Sequence, residues 1–187
     1  MKTNSIIITI VLMFTSVVFS SCGSSKNETN NSENNNSNHS IMADNDIELK
    51  GALNHYYHLK DALVRSEAVE ASNGASAMLK ALETVEITNE EHRAHIDGLL
   101  TTIITNLQNI SASGDMEKQR EYFQTVSDNF YELLKTTGVT GETVYRQYCP
   151  MAFDDKGAYW LSSEKEIRNP YFGDAMLKCG SVKETLN

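Results

Sequence analysis

The chain has 187 residues, 40% of them apolar, only two prolines and a formal net charge of −9. The negative balance excludes a general nucleic-acid binder and a polybasic membrane patch. The length suits one domain with room for a targeting segment.

Residues 1–21 read as a secretory signal. Lys2 supplies the positive end, and residues 6–19 form an apolar run too short to cross a bilayer. Ser20 and Ser21 then precede Cys22. Bacterial lipoprotein signals end on such a cysteine, which is lipidated and becomes the new N-terminus. Phe19 is atypical three residues before it, so an ordinary signal with a chance cysteine stays the alternative. The expected product is held to a membrane through Cys22, in the cell envelope, facing the periplasm from the outer membrane. Residues 22–44 are rich in Asn and Ser with no aromatic residue, too polar to offset their ordering entropy, and are expected to be a flexible tether containing an idle His39.

The working domain is expected over residues 45–187, as an all-α, up-and-down four-helix bundle with an irregular C-terminal tail containing a short hairpin. Asn45 and Glu48 resemble a capping pair, and Leu49, Ala52, Leu53, Tyr56, Leu59 and Leu63 follow at helical spacing. A second helix over residues 67–85 repeats Ala71, Ala75, Met78, Leu82 and Val85, small enough for a close neighbour. The third is expected from Thr88, with Glu91 completing a capping box and a stripe of Ile96, Leu99, Ile103, Leu107 and Ile110. The fourth follows Asp115, buries Met116, Phe123, Phe130 and Leu134, and stops at Gly138. Short connections favour antiparallel neighbours. Arg120 and Ser127 fall on the stripe of Phe123 and Phe130. A buried Arg must be paired, so Arg120 is read as reaching a carboxylate or the carbonyls of a covering loop, with ligand binding as the alternative.

After Thr143 the pattern changes. Residues 144–151 and 158–161 suit a hairpin around the turn-prone Asp154-Asp155-Lys156-Gly157. Asn169-Pro170 starts another turn, residues 171–178 suit one or two helical turns, and Gly180 ends them. This tail holds the only tryptophan, Trp160, expected to be structural, and both cysteines of the domain. Cys149-Pro150-Met151 places two sulfurs on one side of an extended chain, and Met176 to Cys179 places two on one face of a helical turn. If the pieces meet, four soft donors converge, a set that selects Cu(I) or Ag(I). The alternative is a Cys149–Cys179 disulfide, usual outside the cytoplasm, with the methionines as core filler. His92 and His95, like His55 and His58, are spaced to share a metal; the first pair borders the apolar stripe. No phosphate loop, zinc-protease helix or nucleophile elbow is present, and no catalysis is expected.

The run from Cys149 to Gly180 resembles the signature of a bacterial domain of unknown function. That domain occurs in short envelope lipoproteins and at the C-terminal end of some heavy-metal efflux adaptor proteins. The matching features are Cys149-Pro150-Met151-Ala152, Gly157, Trp160-Leu161, Asn169-Pro170-Tyr171, Gly173, Met176-Leu177 and Cys179-Gly180. Upstream, residues 59–64 and Gln119-Arg120 with Phe123 and Ser127 also fit. The resemblance implies copper or silver handling and an efflux adaptor as partner. It also implies that Lys60 and Arg120 are structural polar contacts between the bundle and the tail.

Overall fold

The computed structural model describes residues 35–85, 91–138 and 140–187, with side chains from Leu49 onward. All of them belong to one unit, Glu33–Asn187. The signal segment, Cys22, the side chain of His39 and the expected helix start at Thr88 lie outside the described residues.

Four long helices carry most of the chain. Helix α1, Asn35–Val64, begins before the boundary expected near Asn45, so residues 35–44, read from composition as tether, have helical backbone. No proline interrupts that stretch, and elongating an existing helix is far easier than nucleating one. Its apolar stripe from Leu49 to Leu63 is buried. The end of α1 is a Schellman motif: Glu67 N–H bonds Ala62 O at 2.9 Å and Ser66 N–H bonds Leu63 O at 3.2 Å. Ser66 holds the left-handed position, φ 56°, where glycine is usual.

Helix α2, Ala68–Leu82, buries Ala71, Gly74, Ala75, Met78 and Leu82. A Cβ on Gly74 would lie 2.9 Å from Leu59 Cα, so α1 and α2 approach as closely as their backbones allow. Helix α3, Arg93–Ala112, starts later than the sequence suggests: His92 is its N-cap residue and makes no side-chain cap bond. Residues 91–95 are exposed, and packing rather than propensity sets where a helix begins. Helix α4, Met116–Thr137, has the expected ends: Asp115 accepts from the N–H groups of Glu117 and Lys118, and Gly138 sits at φ 70°.

Helices adjacent in sequence pack together: α1 on α2, α2 on α3, and α3 on α4. The rings join α1 to α4, with Tyr56 stacked on Phe123 and Phe130 at 5.2 and 5.5 Å between centroids. Ser127 is on this stripe because Tyr56 needs a partner: their hydroxyls are 2.7 Å apart, and Tyr56 Oη also accepts from Leu161 N–H at 3.0 Å.

The C-terminal part holds the expected hairpin, but within a larger sheet. It contains a three-stranded antiparallel sheet, β1 Val144–Cys149, β2 Ala158–Ser162 and β3 Ser181–Leu186, in the order β2-β1-β3. The all-α expectation is corrected accordingly. The hairpin of β1 and β2 pairs Cys149 with Ala158 and Arg146 with Leu161. The unforeseen strand, β3, is short and only half-buried on alternate residues, so its apolar signal is weak. It exists because β1 offers a second edge to pair with.

One sheet face meets α4. The guanidinium of Arg146 lies 3.7 Å from the ring centroid of Tyr131 and 4.0 Å from that of Tyr159. The other face carries Gln147, Cys149 and Trp160 and is covered by the loop of residues 163–180. Gln147 Nε2 lies 2.8 Å from Glu164 O and 3.3 Å from the carbonyls of Lys165 and Glu166. Between β1 and β2, Phe153, Asp154 and Asp155 all hold left-handed backbone, φ 53°, 56° and 64°. Gly157, at φ 79°, closes this turn where any Cβ would collide with the Tyr148 hydroxyl.

Candidate functional site

The site follows from the third strand. Tyr148 of β1 pairs with Ser181 of β3, so the next position outward sets Cys149 against the chain just before β3. The sulfurs of Cys149 and Cys179 are 2.8 Å apart. Cys149 is fully buried and Cys179 half-buried.

The segment that delivers Cys179 is pinned by one side chain. Asn169 is buried; its Nδ2 donates to Cys179 O at 2.9 Å and its Oδ1 accepts from Tyr171 N–H at 2.8 Å. Its backbone N–H bonds Leu177 O at 2.8 Å, and its carbonyl accepts from Gly173 N–H at 3.1 Å. Sequence reasoning read Asn169 only as a turn former ahead of proline. The missed signal is that an Asn-Pro turn tied at both amide atoms is also a clamp.

Cys179 is pushed above the ordinary thiol range, chiefly by hydrogen bonding to Cys149, then by burial, with the Met151 backbone N–H opposing. A protonated thiol is a poor nucleophile. Metal ligation and disulfide formation both require the thiolate, so either must drive this proton off. Met151 is 46% exposed. Met176 is half-buried at the end of a 3₁₀ turn, and its carbonyl accepts from Cys179 N–H at 3.0 Å. The two sulfurs are thus brought together, and Met176 adjoins Cys179 through its backbone.

His92 and His95 are both exposed at the start of α3. His55 is half-buried, and His58 is committed to Glu70 at 2.6 Å. Among the described residues, no group of three or more His, Cys, Asp or Glu side chains is gathered to hold a metal.

Arg120 donates from Nε to Pro170 O at 2.9 Å and from Nη2 to Leu63 O at 3.1 Å and Ser66 Oγ at 2.9 Å. It therefore ties α4 to the end of α1 and to the covering loop. Lys60 is buried with its ammonium 2.6 Å from Asp61. Trp160 is fully buried, edge-on to Tyr171 at 5.9 Å.

Residues 52–142 match the family described as "Protein of unknown function (DUF3347)". The match covers most of the helical part and stops before Cys149, so it does not include the motif that carries the sulfurs. No curated protein and no solved structure matches the chain.

Proposed function

We propose that the chain is a non-catalytic envelope lipoprotein, anchored by lipid on Cys22 and facing the periplasm from the outer membrane. Its domain binds Cu(I) or Ag(I) and buffers the ion or passes it to a heavy-metal efflux adaptor. The supporting observation is the 2.8 Å approach of the Cys149 and Cys179 sulfurs. Thiolates would be the anchoring ligands because they carry charge, and the neutral thioethers would add selectivity for a soft ion. The exposed His92 and His95 would at most form a separate, weaker site.

A competition titration against a coloured Cu(I) chelator, under reductant, tests this reading. Cys149→Ser or Cys179→Ser should cost more affinity than Met151→Leu or Met176→Leu. The double cysteine variant should lose less than the sum of the two single losses, since both serve one ion. If every variant competes as well as the wild type, the sulfur site is wrong.

A second reading has its own support. Cys149 is wholly buried against its partner, which suits a structural disulfide in a protein-interaction module. Closing that 30-residue separation would stabilise the fold by about 3–4 kcal/mol in the chain-entropy model. Counting free thiols in protein isolated without reductant separates the two: two favour the metal site, none the disulfide.

A further inference from the structure

Cys149 and Cys179 share one contact but not one environment. Cys149 ends β1 inside the hydrophobic core and is 0% exposed. Cys179 packs at the edge of that core, half-buried, in the segment just before β3. Its backbone is held on both sides: Asn169 Nδ2 donates to its carbonyl at 2.9 Å, and its N–H donates to Met176 O at 3.0 Å. Gly180 follows at φ 144°, where a Cβ would lie 2.9 Å from both Trp160 Cη2 and Tyr148 O. The segment is thus fixed against the sheet, and the sulfur pair has an inner member and an outer one. Thiol–disulfide exchange depends on which sulfur a reagent can reach, because it passes through a mixed disulfide on that sulfur.

We propose that Cys179 is the exchange sulfur of this pair: a soluble disulfide oxidises the chain through a mixed disulfide on Cys179, which Cys149 resolves from inside the core. The inference rests on the disulfide reading above and needs no metal. In the first step the Cys179 thiol gives up its proton, and its sulfur attacks one sulfur of R–S–S–R. That bond breaks, and R–S⁻ leaves and takes up a proton. Cys149 then loses its proton, and its sulfur attacks the Cys179 sulfur and expels the second R–S⁻, which is protonated in turn. Two protein thiols are oxidised, and one external disulfide is reduced to two thiols. The second step is intramolecular, between sulfurs that the fold already holds 2.8 Å apart, so it outruns the first. Reduction takes the same path backwards, with Cys149 as the leaving group.

The test uses the full chain, reduced and then separated from the reductant, with peptide mapping as the readout. Trypsin cuts after Arg146, Lys156, Lys178 and Lys183, so Cys149 and Cys179 fall in the separate peptides 147–156 and 179–183, and Cys22 in neither. Limiting iodoacetamide should alkylate 179–183 about tenfold or more faster than 147–156, because a buried thiol reacts only in locally opened molecules. Glutathione disulfide should join Cys149 to Cys179 in the wild type. In Cys149→Ala the reaction should stop at a glutathione adduct on Cys179. In Cys179→Ala the adduct on Cys149 should form about tenfold or more slowly than that. Helical dichroism checks that both variants fold; where one does not, the wild-type alkylation alone decides. A smaller ratio in either measurement overturns Cys179 as the exchange sulfur. A wild-type chain left by glutathione disulfide with no bond between the two cysteines overturns the disulfide reading itself, a result distinct from the other.

Discussion

Arg120 illustrates how a single polar residue on an apolar stripe is accommodated. Its stem runs along α4, and its guanidinium ends on two carbonyls and a hydroxyl from three separate parts of the chain. These partners are dipoles, so its removal strands carbonyls rather than a buried charge. The loss of one charge-assisted set of this kind costs about 2 kcal/mol. Arg120→Ala should therefore lower the denaturant midpoint at constant m. A midpoint unchanged within error would mean that water satisfies these carbonyls equally well. Ser66 belongs to the same contact: its left-handed backbone is tolerated where its hydroxyl accepts from Arg120.

At the scale of elements, the α1–α2 contact is set by what is missing. Gly74 has no Cβ, and the nearest atoms to one would be Leu59 Cα at 2.9 Å and Leu59 N at 3.0 Å, both backbone. Backbone cannot rotate away as a side chain can, so the helices must part. Gly74→Ala should destabilise by about 1–3 kcal/mol, although alanine is the better helix former by about 1 kcal/mol. Gly98 on α3 is the control, because nothing lies within 4 Å of a Cβ there. Gly98→Ala should stabilise by about 0.5–1 kcal/mol. Opposite signs in parallel urea titrations would locate the effect in packing; a stabilising Gly74→Ala would show that the interface yields.

The whole molecule joins a helical part to a small sheet through α4 and the Tyr56 hydroxyl, and a loop clamped by Asn169 roofs the far face of that sheet. The sulfur pair sits under this roof, at the meeting of β1 and the start of β3. The proposed lipid anchor on Cys22 is tested independently of this fold. Cells given a labelled fatty acid should mark the wild-type chain and leave Cys22→Ser unmarked. Label retained by the variant would remove the lipid anchor from the proposal.

The four helices were legible because each writes its burial along the chain: Ile96, Leu99, Ile103, Leu107 and Ile110 repeat at the period of the helix whatever packs on them. Asp115 and Gly138 were legible for the same local reason, since a cap is satisfied within a few residues of itself. Helix α3 was expected from Thr88 and begins at Arg93, close to Ile96, where its buried stripe starts. Cysteine and methionine types identified the candidate chemistry. Sequence spacing alone left open whether the sulfurs meet, because Cys149 and Cys179 are 30 residues apart. That meeting was decided by β3, whose half-buried alternation is too faint to read until β1 pairs with it. The exposure of Met151 and the partners of Arg120 were decided the same way, by chain segments that are distant in sequence and adjacent only after folding.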